Sequence, residues 1–291
     1  MSDSSVNSAR RVIALHPAHR DDIGDLTTRR PLPARQLEQL DPFLFLNHHG
    51  PQVYPANNQG LPFGPHPHRG FETVTFILEG SLAHADSAKH QSVIHKGGVQ
   101  WMTAGSGIVH AEISPPEFLR EGGPLEILQL WINLPSRLKM SEPRYVGLQQ
   151  DSIPAITLLG GAELNLIAGE WGDTRGPVET LTNVFMSTLK LPAGSREQLP
   201  VASGRQVFLY IVNGDVTVSG EPAKPHQLVE LDRDGESIVI EAASDAQLLF
   251  GHGDVIDEPV YSHGPFVMNT HDEIVQAVED YQAGKFGGLS A

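Results

Sequence analysis

The sequence predicts an all-β fold: two tandem antiparallel β-barrels followed by one C-terminal helix. Three observations carry this expectation. Twenty-nine Gly and 22 Pro stand beside 40% hydrophobic residues in a chain of 291, a composition suited to many short strands and tight turns. Apolar runs bounded by Gly, Pro, Asn or Asp recur from start to finish, the pattern of strands. The stretch Phe76-Ile77-Leu78-Glu79-Gly80-Ser81-Leu82 also returns as Tyr210-Ile211-Val212-Asn213-Gly214-Asp215-Val216. That offset is too long for a solenoid and fits two similar domains. The expected division is residues 1–140 for the first barrel and 141–291 for the second, helix included.

The elements follow in order. Residues 73–78 form an apolar strand that ends at Glu79-Gly80-Ser81. Residues 126–134 form another, stopped by Pro135. Its Glu126, Leu128, Leu130, Ile132 and Leu134 share one face, and Ile127, Gln129, Trp131 and Asn133 the other. Mixed polarity on that second face suits a half-solvated sheet or a lined cavity. Residues 184–191 stop at Pro192-Ala193-Gly194, and residues 206–212 turn at Asn213-Gly214-Asp215, a hairpin signal, to return as 216–218. Thr270-His271-Asp272-Glu273 is a capping box. Ile274, Ala277, Val278 and Tyr281 follow at helical spacing, and Gly284 suits a left-handed stop with Lys285 at the negative helix end. The apolar face of this helix is expected to dock on a barrel.

Composition excludes several chemistries. The absence of Cys removes disulfides, thiolate zinc sites, iron–sulfur clusters and a thiol nucleophile. A net charge of −15, from 35 acidic and 20 basic residues, repels phosphate backbones, so direct nucleic-acid binding is not expected. Arg10-Arg11 and Arg29-Arg30 are too short to reverse this. No apolar run approaches the length of a membrane span, and Met1-Ser2-Asp3-Ser4-Ser5 lacks the pattern of a signal peptide. A soluble cytoplasmic protein is the expectation.

Two short segments carry candidate ligands. Gly64-Pro65-His66-Pro67-His68-Arg69-Gly70-Phe71-Glu72 holds His66 and His68, and Gly105-Ser106-Gly107-Ile108-Val109-His110-Ala111-Glu112 holds His110 and Glu112. Side chains at i and i+2 share one face of a strand. If the two strands face each other inside a barrel, three nitrogens and one oxygen converge, a ligand set for divalent iron, copper, nickel or zinc. Fourteen His in the chain produce roughly one His-x-His by chance, so the motif draws its weight from the flanking glycines and the strand that follows. Glu72 has the parity of His68 and remains open as an alternative carboxylate. The same offset lays Pro200 and Ala202 over His66 and His68. His252 falls near the second motif with no His-x-Glu, so one metal site, in the first barrel, is expected. Trp101, Met102, Phe43 and Phe45 read either as an apolar entry for a flat ligand or as barrel core. His48-His49 reads as a turn before Gly50-Pro51. His16, His19, His84, His90, His95, His226, His263 and His271 read as exposed or locally satisfied.

These segments resemble the pirin family, a branch of the cupin superfamily. The resemblance rests on Asp41-Pro42-Phe43, on residues 62–75, on residues 99–112, and on Gly264-Pro265-Phe266-Val267-Met268-Asn269-Thr270 with Lys285-Phe286-Gly287. It implies a bicupin, two antiparallel barrels face to face, with a metal in the first. It also implies the ligand set His66, His68, His110 and Glu112, and so favours Glu112 over Glu72. Gly105 stands where the general cupin pattern has Pro. The resemblance extends to bacterial quercetin 2,3-dioxygenases, which implies an oxygen-dependent metalloenzyme acting on flavonol-like or other enolisable aromatics. Its cofactor would be one divalent transition metal, iron(II) first and copper(II), nickel(II), manganese(II) or zinc(II) as alternatives. Glu112, the sole acidic member of the set, is the candidate general base. Expected partners are a small aromatic substrate and dioxygen, with no direct nucleic acid and no membrane; the acidic surface allows protein partners. The alternative is a non-catalytic metal-binding regulator of protein partners, the role of animal members.

Overall fold

The computed structural model describes residues 8–289; the N-terminal Met1–Ser5 stretch lies outside them. The chain divides into two compact units. One unit comprises His19–Pro33, Phe43–Ser152 and the segment from Ile256 onward. Its seven-stranded sheet runs, in spatial order, Arg144–Leu148, Val99–Thr103, Phe71–Glu79, Gly123–Asn133, Phe43–Tyr54, Thr28–Leu32 and His19–Arg20. Its four-stranded sheet runs Phe63–His68, Ile108–Ile113, Ser81–Asp86 and Gln91–His95. All of these pairings are antiparallel.

The other unit comprises the N-terminal segment through Ala18, Ala34–Pro42 and Ile153–Val255. It repeats the plan with a seven-stranded sheet of Val12–Pro17, Gln227–Leu231, Gln206–Asn213, Ala246–Gly253, Val184–Leu191, Glu163–Ala168 and Ala155–Thr157. Four strands, Arg196–Pro200, Ser237–Ala242, Val216–Val218 and Glu221–Ala223, make the smaller sheet. Matching strands occupy matching places in the two units, as the internal duplication requires.

The duplicated turn is a sheet switch, which corrects the hairpin expected at Asn213-Gly214-Asp215. Gln206–Asn213 belongs to the large sheet and Val216–Val218 to the small one. Phe71–Glu79 and Ser81–Asp86 divide in the same way. Each switch turns on a glycine of positive φ, Gly80 at 84° and Gly214 at 80°. A Cβ there would lie 2.6 Å from the Pro124 carbonyl oxygen and 2.4 Å from that of Asp245, so the strand arriving behind each turn permits only glycine.

The compact units do not follow the expected 1–140 and 141–291 division. Val12–Pro17 pairs with Gln227–Leu231 and so completes the second barrel's large sheet. The C-terminal helix joins the unit of the first barrel instead. That helix, His271–Gln282, has the expected capping box, with Thr270 Oγ1 accepting from the Glu273 N–H. Its buried side chains are Ile274, Ala277 and Asp280, while Tyr281 is exposed. Periodicity put Tyr281 on the inner face; Asp280 takes that place because Arg69 waits there for a carboxylate.

In the second unit the small sheet packs aliphatic side chains inward. Leu199 pairs with Ile238 across its first two strands, and both are fully buried. At about 1.5–3 kcal/mol per buried aliphatic side chain, these contacts stabilise the fold, and the one carboxylate buried on the same strand, Glu197, accepts from the Gly160 and Ala162 N–H groups. Arg10 ties the N-terminal strand in place. It is fully buried and donates to the carbonyl oxygens of Arg205 (2.7 Å), Ala202 (2.8 Å), Asp232 (3.2 Å) and Gly235 (3.3 Å). Arg10→Met leaves those carbonyls without their donor. The expected loss is about 3 kcal/mol, read as a lower urea midpoint at unchanged m-value.

Candidate metal centre

His66 and His68 lie on Phe63–His68, whose neighbour Ile108–Ile113 carries His110. The register sets His110 directly opposite His66 and Ile108 opposite His68. Alternation on both strands therefore turns three imidazoles to one face. Their centroids lie 4.4 Å (His66–His110), 4.8 Å (His66–His68) and 4.9 Å (His68–His110) apart. One nitrogen from each ring lies within 4.8 Å of the others, the single such group of three or more potential ligands among the described residues.

The ring nitrogens divide into two kinds. His66 Nδ1–H donates to the Gly64 carbonyl at 2.7 Å, and His68 Nδ1 lies 3.4 Å from the Pro265 carbonyl. These contacts assign the proton to Nδ1 and leave Nε2 as the free lone pair. His68 Nε2 is buried and has no partner. The Nε2 atoms of His66 and His110 sit 3.0 Å apart, a spacing that two lone pairs tolerate only with a proton or cation between them. Burial, reinforced by neighbouring imidazoles, lowers His68 to about 3 and His110 well below the usual histidine value. Three convergent imidazoles, two of them buried and one with an orphaned nitrogen, fit a divalent transition metal.

The two carboxylates fall in different places. Glu112 is buried, two residues beyond His110 on the same strand. Thr75 Oγ1 donates to its Oε1 at 2.7 Å and Gln129 Nε2 to its Oε2 at 2.5 Å. Both donors come from the facing large sheet, so Glu112 reaches across the barrel interior. Each oxygen keeps a second lone pair. Glu72 lies elsewhere. The strand of His68 ends before Gly70, at φ 90°, and a new strand begins at Phe71, so parity does not carry across. Phe71 contacts His68 at 5.2 Å, and Glu72, next along the strand, points to the opposite face. There it accepts from Thr103 Oγ1 at 2.6 Å, and burial raises its carboxyl above the usual range.

An aromatic wall borders the imidazoles. Trp131 lies 5.5 Å from His68 and 4.4 Å from Phe71, and it stacks on Phe45 at 4.6 Å. The Gln129/Trp131 face of its strand, the one of mixed polarity, thus turns toward the imidazoles and Glu112. Phe45 belongs to this wall, whereas Phe43 is fully buried core. Trp101 is buried on the same face as Glu72, its register partner Val74 lying two residues from that carboxylate. Met102 packs with Ala104, Ile108 and Tyr145. His48 and His49 lie within the strand Phe43–Tyr54, not in a turn. Both are buried, bonded to Glu126 (2.8 Å) and Thr28 (2.8 Å) respectively.

His84, expected to be exposed or locally satisfied, is buried and belongs with Asp86 and Tyr145 to a second group of polar side chains. His84 and Asp86 alternate inward along Ser81–Asp86, and His84 Nε2 contacts Asp86 Oδ2 at 3.0 Å. His84 is stacked on Tyr145 (3.9 Å, 8°) and lies 5.5 Å from His110. Burial pushes the Tyr145 hydroxyl up to about 12. The signal was present as His-x-Asp on an alternating strand, hidden by the weak apolar content of that strand.

The C-terminal segment braces the Arg69-Gly70 turn that follows the His66/His68 strand. Arg69 donates to the Ser106 carbonyl (2.7 Å) and to Asp280 (2.8 Å), with its guanidinium over the Phe286 ring. Lys139 is buried and donates to Asn133 Oδ1 (2.6 Å) and to the carbonyls of Gly70 (2.8 Å) and Val267 (3.1 Å). Burial lowers its ammonium to about 8.

Comparison with known proteins gives a consistent result. The family model described as Pirin matches residues 25–132, and that described as Pirin C-terminal cupin domain matches residues 186–287. A pirin-like protein of Caulobacter vibrioides is 40% identical over 260 residues, covering 88% of this chain and 91% of that protein. Human pirin is 38% identical over 268 residues, covering 89% and 87%. The crystal structure of a quercetin 2,3-dioxygenase from Acinetobacter baumannii superposes with a TM-score of 0.90 at 35% identity, over 97% of this chain and all of that one. Among the described residues no helix is long and apolar enough to cross a membrane.

Proposed function

Because the chain belongs to the pirin family, a bicupin family, we propose that it is a metal-dependent dioxygenase acting on flavonol-like or related enolisable aromatics with dioxygen. The observation that carries this reading is the convergence of three imidazoles beside the Trp131–Phe45 wall. The 35% identity to a quercetin 2,3-dioxygenase supports the substrate class. His66, His68 and His110 would hold one divalent transition metal, iron(II) being our first choice, and Glu112 would complete the set. When bound, that metal supplies a Lewis acid that favours the ionised form of an enol or catechol oxygen.

The chain's own residues do the rest. Trp131 and Phe45 receive a flat ring and orient it against the imidazoles. The Gly64 and Pro265 carbonyls hold His66 and His68 in one tautomer with Nε2 forward. Glu112, steadied by Thr75 and Gln129, takes the substrate hydroxyl proton on a carboxylate oxygen. The buried surroundings exclude water and strengthen each of these contacts.

Oxygen uptake by iron-loaded protein with quercetin tests the reading. Steady uptake is expected, lost in His66→Ala and lowered by roughly 10²–10⁴ in Glu112→Gln with metal retained. Absence of uptake with every divalent metal tried would favour a metal-binding regulator of protein partners. Full turnover by Glu112→Gln would remove the base role alone.

A further inference from the structure

The second barrel holds a cavity of about 1050 Å³ where the first holds its imidazoles. Pro200 and Ala202, which the duplication lays over His66 and His68, line it. So do Phe185 and His252. Phe45 and Trp131 are direct partners across neighbouring strands of the first barrel, as are Phe185 and His252 in the second. Both pairs are stacked, at 4.6 Å and 4.7 Å, the latter within 5° of parallel. His252 therefore answers to Trp131, not to the His110 motif near which the sequence placed it. The second barrel thus has an aromatic wall without the ligands.

The polar groups in this cavity have a defined polarity. Arg205 Nε donates to His252 Nδ1 at 2.7 Å. An acceptor at Nδ1 puts the ring proton on Nε2, and no acceptor among the described residues takes it. Burial and the neighbouring Arg205 and Arg10 lower His252 to about 3, so the ring is neutral with Nε2–H a fixed donor. Trp171 lies 6.0 Å from Phe185 and also lines the space. Charge does not favour an anion. Glu170, Glu179 and Glu236 stand against Arg175 and Arg205, and Arg205 is already paired with Asp254.

We propose that the second barrel binds a flat, uncharged aromatic compound in this cavity, bordered by Trp171 and the Phe185–His252 pair, with a carbonyl oxygen accepting from His252 Nε2–H. The site is separate from the metal centre and takes its ligand without a metal.

Flavone is the probe: it is flat, neutral and carries a carbonyl, but it has no hydroxyl through which to chelate a metal. Calorimetric titration of the metal-loaded protein is expected to show one flavone per chain. Affinity should fall at least about tenfold in Trp171→Ala and in His252→Phe, which keeps the stack and removes the donor. It should be unchanged in His66→Ala. Trp171 is half-buried, so its variant keeps the test usable if His252→Phe fails to fold. The proposal is overturned by absence of binding, by binding lost in His66→Ala but retained in Trp171→Ala, or by benzoate binding as tightly as flavone.

Discussion

His110→Ala is expected to lower affinity for a divalent metal by more than about 100-fold, the upper range for groups that only orient a ligand. His110 has no substitute within reach. Glu72 points to the far side of its strand, and His84 is committed to Asp86 and Tyr145. Metal that binds only the folded chain raises the melting temperature by mass action. The wild-type protein should therefore melt higher with nickel or cobalt than with chelator, and the variant should melt alike in both. Equilibrium dialysis gives the stoichiometry directly. A variant that keeps one metal per chain within threefold of the wild-type affinity would remove His110 from the ligand set.

Asp280→Ala should cost about 3 kcal/mol, the low end for removing one partner of a buried ion pair. Arg69 and Asp280 are both nearly inaccessible. Arg69 keeps its bond to the Ser106 carbonyl and its contact with Phe286, which holds the loss to that end of the range. The effect has a pH signature. Hydrogen bonds from Lys285 and Arg69 lower Asp280 from 3.8 to about 2. A depressed carboxylate binds fewer protons folded than unfolded, so its contribution is complete above about pH 4 and disappears as pH falls through 2. The stability gap between wild type and variant should be flat from neutral pH to about 4 and close below it. A gap that persists unchanged at pH 2 would show that lost packing, not charge, caused it. The same variant should also weaken metal binding, because Arg69 adjoins His68.

The sequence already contained every feature set by neighbours a few residues away. Two-residue alternation brought His66, His68 and His110 to one face. Thr270 and Glu273 capped the helix by their own side chains, and Gly80 and Gly214 marked the duplicated turns. The mixed polarity of Gln129 and Trp131 set that face of the strand apart from its apolar one. Each follows from strand or helix periodicity, which the backbone imposes wherever the segment ends up.

Sheet membership was decided elsewhere. Whether Gly214 closes a hairpin or passes the chain to another sheet depends on Ser237–Ala242 arriving as partner of Val216–Val218. Glu72 lost its place beside His68 because Gly70 turns the chain before it. Asp280 displaced Tyr281 from the buried face because a guanidinium more than two hundred residues away needed a carboxylate. His84 and Asp86 acquired their role when their strand paired with the one bearing His110. Gly70 apart, the deciding partner is remote along the chain, and long-range pairing leaves no periodic trace in the segment it acts upon.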